Sequence, residues 1–351
     1  MQRAPVKGSR SGAMSHKKVL LGHGSGGKLM HELIEQIFAP ELLGSCRTQL
    51  NDSALMEING SRLAVTTDSY VVDPLFFPGG DIGKLAVNGT VNDLSMVGGR
   101  PLALTAAFIL EEGFPMEDLL KIVASMKEAC EMAGVNIITG DTKVVNRGKC
   151  DKSFINTTGV GIVEPGVDIS ADRARPGDLV LVNGDIAAHG MAILSARQEL
   201  DFEVPIYSDT QPLHLLVADM LSASEQIHCL RDATRGGLAS ALNELAIASA
   251  VGIRIYEDQL AIQDEVKGCC EILGLDPLHV ANEGKLLSIV AAEDAPTVLA
   301  AMRANKAGRQ ASIIGEVVEA QAQRPLVVMK TTVGGWRIVD MLAGEQLPRI
   351  C

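Results

Sequence analysis

R-L-A-V-T-T-D-S-Y-V-V, Arg62 to Val72, and the segment Asp81 to Val97 that follows it decide the fold. The first is rich in β-branched residues and reads as a strand. The second repeats apolar residues at helical spacing and stops at Gly98-Gly99. Downstream, Pro101 to Leu110 reads as a strand. Pro115 to Ala133 reads as an amphipathic helix, with Pro in its first turn and Gly134 just past its end. Val135 to Thr139 and Ser153 to Val163 are further strands. Upstream, His16 to Gly27 is a glycine-rich opening, and Lys28 to Phe38 reads as a short amphipathic helix. Helices interleaved with a few long strands predict an α+β unit over residues 16–165, a sheet with helices on one face.

A linker is expected from Pro165 to Pro176. A second unit that mixes α and β is expected over 177–340, opening with the strand L-V-L-V-N after Gly177-Asp178. Its helices are predicted around Gly190 to Glu199, Gln211 to Ala223 and Gly236 to Ala250, and its strands near Ile253, Leu286 and Ile313. Residues 1–15 read as a polar, disordered lead. Residues 341–351 hold G-E-Q-L-P-R-I-C, without helical pattern, and read as a mobile arm ending in Cys351.

Composition excludes several classes. The 351 residues are 47% apolar and only 3% aromatic, so core volume must come from aliphatic side chains and Met. A net charge of −12 without a long basic run argues against a nucleic-acid partner. No apolar run is long enough to span a bilayer, and the N-terminus lacks the sections of a secretion signal. The seven Cys are odd in number and form no C-x-x-C, which predicts free thiols in a reducing cytoplasm.

Four aspartates in the first half stand among apolar or small residues: Asp52 in N-D-S-A, Asp68 in T-T-D-S, Asp93 in V-N-D-L and Asp141 in T-G-D-T. All four are expected at the ends of secondary elements. On a helical wheel Asp93 lies inside the stripe of Ile82, Leu85, Ala86, Gly89, Met96 and Val97. A buried carboxylate there needs a partner. Arg100 could supply one, and a hard cation such as Mg²⁺ could serve all four carboxylates. Mg²⁺ usually binds few carboxylates together with substrate phosphates, which points to ATP. Lys143 follows Asp141 by two residues, so on an extended segment both face the same side. It suits a transferring phosphoryl group, or open solvent.

Other segments are less specific. G-H-G-S-G-G-K-L, Gly22 to Leu29, nearly matches G-x-x-x-x-G-K-[ST], but Leu29 stands where the Mg²⁺-binding hydroxyl belongs. A P-loop is therefore excluded, while an anion cradle and a surface loop both fit. R-D-A-T-R-G-G, Arg231 to Gly237, is either an anion-binding helix start or an ordinary one. Glu283 in A-N-E-G-K-L suits a general base or a turn. His189 in A-A-H-G-M-A suits a structural role. Cys351, on a mobile arm, can be presented to another enzyme and folded back, or it is incidental; its position fails the prenylation motif.

Together, H-G-S-G-G, T-T-D-S-Y-V-V-D-P-L-F-F-P-G-G-D-I-G-K, N-D-L-S-M-V-G-G-R-P, T-G-D-T-K-V-V, D-A-T-R-G-G, A-N-E-G and the terminal P-R-I-C resemble the HypE family of hydrogenase maturation proteins, over nearly the whole chain from His23 to Cys351. That family belongs to a superfamily with aminoimidazole ribonucleotide synthetase, thiamine phosphate kinase and selenophosphate synthetase. The resemblance implies an N-terminal ATP-binding α+β domain whose sheet pairs with a second copy in a dimer barrel, followed by an α/β domain and a flexible tail. It implies ATP and Mg²⁺ as cofactors, with Asp52, Asp68, Asp93 and Asp141 as metal and nucleotide ligands. It adds His23, Gly24, Ser25, Gly26, Gly27, Asn88 and Thr142 to the nucleotide site, and Cys351, Lys143 and Glu283 as catalytic groups. The implied reaction is ATP-dependent dehydration of an S-carbamoyl group on Cys351 to a thiocyanate, as a source of cyanide for the [NiFe]-hydrogenase iron. HypF as carbamoyl donor and the HypC–HypD complex as acceptor are the implied partners. A kinase of the same superfamily would not need Cys351, and a non-catalytic assembly scaffold would not consume ATP.

Overall fold

In a computed structural model, the described residues are 16–43, 51–198, 204–321, 324–342, 344, 347 and 349–351. The expected lead, Cys46 and Pro348 lie outside them.

Helix α1 (Lys28–Leu33) is shorter than expected and continues as a wider π-type coil, Ile34–Leu43, that contains Pro40. Proline lacks an amide hydrogen and cannot extend a regular α-helix. Next come β1 (Ala54–Ile58), β2 (Ser61–Tyr70), a small hairpin of β3 (Phe76–Phe77) and β4 (Gly80–Asp81), α2 (Ile82–Met96), β5 (Gly99–Glu111), α3 (Met116–Ala133), β6 (Asn136–Val145) and β7 (Ser153–Val163). The sheet order is β1-β2-β7-β5-β6, with only β5 and β6 parallel.

Local chemistry fixes these ends. Asp81 caps α2 by accepting from Gly83 N and Lys84 N, at 2.7 and 3.2 Å, an arrangement worth about 1 kcal/mol. Gly134 closes α3 at φ 65°. Gly89 lets α2 press against β2, since a Cβ there would collide with the buried Tyr70 hydroxyl.

Both helices lie on one side of the sheet, as predicted. In β7 the odd-numbered residues from Ser153 to Val163 are buried, and the alternate ones face away from the helices. Edge strand β6 is almost wholly exposed. It runs six residues beyond the strand expected to end at Thr139, because parallel pairing with β5 continues through Ala107↔Asp141 and Ile109↔Lys143. Asp141 therefore sits in mid-strand, not at an element's end.

The second unit holds β8 (Leu179–Val182), α4 (Ala188–Arg197), α5 (His214–Ala223), β9 (Ile227–Asp232), α6 (Gly237–Ser249), β10 (Gly252–Tyr256), α7 (Asp264–Leu273), β11 (Leu286–Val290), α8 (Ala295–Ala304), β12 (Ser312–Val318), β13 (Val327–Lys330) and β14 (Trp336–Ile338). They form a seven-stranded sheet, β14-β13-β10-β12-β8-β11-β9. One core joins Val180, Val182, Leu287 and Ile289 to α4 and α6. A second joins Leu181, Leu286 and Val290 to α5 and α8. Covered on both faces, β8 is a continuous apolar run, L-V-L-V, and β11 departs from one only at Ser288.

The units meet along α2. Asn92 Nδ2 donates to Gln211 O at 3.1 Å and to Glu283 O at 3.3 Å, while its Oδ1 accepts from Leu213 N at 2.8 Å. This joint leaves a cleft between the end of β2, the end of β9 and the start of α6. Among the described residues, no helix is long and apolar enough to cross a membrane.

Candidate active site

The cleft encloses about 240 Å³ and is lined by Gly26, Asp52, Thr66, Asp68, Asp93, Asp232, Arg235, Glu283 and Cys351, among others. Asp93 projects from α2, Asp52 precedes β1, and Asp232 ends β9. These three bring ligand oxygens within 4.8 Å of one another. Thr66 Oγ1 donates to Asp93 Oδ2 at 2.8 Å, and Ser53 Oγ donates to the Asp93 carbonyl at 2.9 Å. Arg231 pairs with Asp52 at 3.1 Å and also with Glu244. Arg100, a candidate partner for Asp93, is exposed on β5.

The electrostatics follow from crowding in low dielectric. Burial, then the neighbouring Asp232, Asp68 and Asp52, push the Asp93 carboxyl well above its ordinary range. Burial and Asp52 do the same to Asp232. Asp52 is pushed up to about 6 by burial, against the pull of Arg231. Burial, with Asp232 and Asp209 next, raises Glu283, whose Oε1 is buried without a hydrogen-bond partner. Its amide is fixed by Asp209 Oδ1 at 3.0 Å.

The tail reaches this cleft. Val71 N donates to Cys351 O at 3.0 Å, and Asp73 N donates to Arg349 O at 3.2 Å. Burial raises the Cys351 thiol, with Glu283 and Asp68 adding to the effect. Arg235 Nη1 donates to Gly24 O at 3.0 Å, tying the glycine-rich turn to the start of α6.

Residues 50–163 match the family of AIR synthase related protein, N-terminal domain, and residues 175–327 match its C-terminal domain. Carbamoyl dehydratase HypE of Azotobacter vinelandii is 56% identical over 94% of this chain and 96% of its own. The carbamoyl dehydratase HypE of Escherichia coli K12 is 43% identical over 95% and 99%. A solved HypE–HypF complex superposes with a TM-score of 0.83 at 50% identity, covering 88% of this chain and 99% of that one.

The chain belongs to the HypE family.

A solved HypE in complex with ATP is similar as well, at 49% identity and a TM-score of 0.80 over 95% of this chain and all of that one. The complex of AaThiL with AMPPCP and TMP, at 20% identity and a TM-score of 0.66 over 95% of this chain and 99% of that one, shares the fold.

In this HypE-family chain the cleft gathers Asp52, Asp68, Asp93, Glu283, Gly26 and Cys351 from the expected residues. Gly24 and Ser25 line the adjoining space beside the tail, with Arg349 and Ile350. His23 is buried and bonded within its own turn, Leu20 N to His23 Nδ1 at 3.0 Å. Gly27 packs under Leu342, whose carbonyl takes the Lys28 amide at 3.0 Å; Lys28 Nζ turns to Asp340 at 2.6 Å. Asn88 is buried in the joint and donates to Thr210 Oγ1 at 3.2 Å, outside the cleft lining.

Asp141, Thr142 and Lys143 are not brought to the cleft within one chain. They lie on β6, where Lys143 Nζ donates to the two Asp141 oxygens at 2.7 and 2.6 Å. Sequence reasoning missed Asp232 and Arg235, although both stand in the R-D-A-T-R-G-G segment. Asp232 ends β9 and Asp68 stands near the end of β2, and an aspartate at the end of a strand was the available signal.

Proposed function

We propose that this chain is an ATP-dependent carbamoyl dehydratase acting on the S-carbamoyl group of its own Cys351, which becomes a thiocyanate. The seat of Cys351 among Asp52, Asp93, Asp232 and Glu283 carries this reading. It places a thiol-borne group where nucleotide phosphates and a base can meet it, within one molecule. The names of the HypE relatives support the same reaction, and the ATP-bound and HypF-bound HypE structures support ATP as co-substrate and HypF as partner.

The carboxamide oxygen takes the γ-phosphoryl group, and the bond from that group to ADP breaks. The C–O bond then breaks, phosphate leaves, and both nitrogen protons are removed, giving S–C≡N. One nitrogen proton passes to Glu283, whose free Oε1 and raised pKa suit a base, and the second leaves with the departing phosphate. Arg235, facing Cys351, offsets the charge that develops on the phosphorylated oxygen. Enclosure of the tail excludes water that would hydrolyse the activated thiocarbamate.

Asp52, Asp93 and Asp232 fit Mg²⁺, since all three are hard oxygen donors whose pKa values are raised, first by burial and then by neighbouring carboxylates. Bound there with Asp68 nearby, Mg²⁺ supplies neutralisation of the ATP phosphates. A homodimer completes the site. The helix-free sheet face and the exposed β6 are the surface a second copy covers, and this brings Asp141, Thr142 and Lys143 to a partner's nucleotide. HypF delivers the carbamoyl group in the cytoplasm, and the cyano product passes to iron on the HypC–HypD complex.

Intact-mass analysis after carbamoylation by HypF and addition of ATP tests the reaction. The C-terminal peptide should lose one water. Cys351→Ala should abolish cyanation and retain ATP binding; cyanation persisting in that variant would refute the self-substrate reading.

A further inference from the structure

The end of the chain is held by more than the cleft. Helix α4 meets it at two points eight residues apart, on one helical face. His189 Nε2 lies 2.8 Å from Ile350 O, and its Nδ1 lies 2.8 Å from Ser208 Oγ. A carbonyl only accepts, so Nε2 carries the hydrogen and Nδ1 takes the serine proton. Arg197 Nη2 donates to Arg349 O at 2.8 Å, and Arg197 Nε to Asp73 O at 2.9 Å. The Arg349 side chain donates from Nε to Val71 O at 3.0 Å, pairs with Asp151, and lies 6.0 Å over the Phe154 ring. Ile350 is 3% exposed and packs into the core that contains Tyr70, Val72 and Ile193.

These contacts read the two residues before the cysteine by backbone and by side chain. We propose that His189, Arg197 and Asp151 form a reading site for the tail, in which His189 and Arg197 hold the Ile350 and Arg349 carbonyls and Asp151 recognises the Arg349 side chain, all three acting as positioning residues that seat Cys351 beside Glu283. The proposal rests on Cys351 as the reacting residue, but docking itself can be measured without any turnover. The seated Cys351 is only partly exposed and faces into the cleft beside Glu283 and Arg235, so an outside reagent meets it poorly. External modification therefore requires release, and dehydration requires seating. Weakening the reading site should move the two steps in opposite directions.

The test uses the full chain with Arg197→Ala, Arg197→Lys and Asp151→Asn, each checked for an unchanged melting transition. Asp151 is half-exposed, so its variant isolates the Arg349 contact from any folding defect. Alkylation of Cys351 by iodoacetamide, followed on the C-terminal peptide, should quicken about tenfold in Arg197→Ala, less in Arg197→Lys and by severalfold in Asp151→Asn, as expected for lost charge-assisted hydrogen bonds. ATP-driven water loss from the carbamoylated chain should slow by a similar factor, while carbamoylation by HypF holds or quickens. Alkylation as slow as in the wild type in both Arg197→Ala and Asp151→Asn overturns the reading site. Faster alkylation with unchanged dehydration overturns its positioning role. Faster alkylation in a protein that never dehydrates, even as wild type, upholds the docking and instead rejects Cys351 as substrate.

Discussion

Asp93 and Asp141 look alike in sequence, each an aspartate among apolar and small residues, yet the chain sends them to opposite environments. Asp93 lies inside α2 and faces Asp52, Asp68 and Asp232 in a cleft, where burial and those neighbours push its carboxyl up. Asp141 lies on the edge strand β6 with its side chain 63% exposed, and the hydrogen bond from Lys143 holds its carboxyl below the usual range. The first carboxyl takes a hydrogen bond from Thr66 but forms no ion pair among the described residues; the second is already answered two residues away. Unmet charge in a cleft marks a place built for a ligand. A satisfied pair on an open strand becomes functional only when another surface covers it.

The largest effect that separates the two regions is expected at Glu283. Glu283→Gln removes the candidate base and should slow water loss from the carbamoylated chain by about 10²–10³-fold. In the wild type the rate should rise with pH through a midpoint above the ordinary glutamate range, because burial raises this group and only its ionised form takes a proton. The acid limb should disappear in the variant. A wild-type acid limb at ordinary glutamate pH would remove Glu283 from the base role.

Lys143→Ala should also be nearly inactive, and mixing it with Glu283→Gln asks which chain each residue serves. If β6 of one copy completes the cleft of the other, random mixing restores one intact site in four, or roughly a quarter of full activity. If Lys143 serves its own cleft, the mixture stays as dead as its parts. Measuring water loss in equilibrated mixtures decides between the two arrangements.

How far these regions can be read from sequence depends on where the deciding interaction lies. Asp93 is legible because a carboxylate inside an apolar helical stripe breaks a local pattern. The cap at Gly134 and the alternation of β7 are local in the same sense. Asp232 is not legible, because the glycines and Thr234 beside it read as a helix start, and only the fold brings β9 against α2. The pairing of Asp141 with Lys143 follows from strand geometry, but the extension of β6 past Thr139 depends on its register with β5. His189 reads as structural in the sequence, yet one of its partners is the Ile350 carbonyl, 161 residues away. Helices α7 and α8 lie outside the expected elements, although each is as long as the expected α4 and α5.

A smaller effect distinguishes the carboxylates by affinity. Asp232→Asn should weaken Mg·ATP binding by about tenfold, the loss expected for one charged ligand contact. In calorimetry, an unchanged affinity for this variant would return Asp232 to a purely structural place beside Arg231. Asp141→Asn should weaken binding only under conditions where two copies associate.

The smallest effect is thermal, and its sign is fixed by linkage. Asp52 is raised to about 6 in the folded chain, against an unfolded value of about 3.9. A group raised on folding stabilises the fold fully below its unfolded pKa, and that stabilisation is lost as pH rises through the folded value. Asp93 and Asp232 are raised as well and act in the same direction. Without divalent cation, the cleft should therefore lower the melting temperature between pH 5 and 7 by about a few degrees. Mg²⁺ should restore it, with a larger shift at pH 8 than at pH 5, because only the ionised cluster binds the metal. Asp141 is lowered rather than raised and lies in solvent, so Asp141→Asn should leave this profile in place. If Mg²⁺ raised the melting temperature equally at both pH values, the cluster would not be the metal site, and the contrast between the cleft and β6 would lose its physical basis.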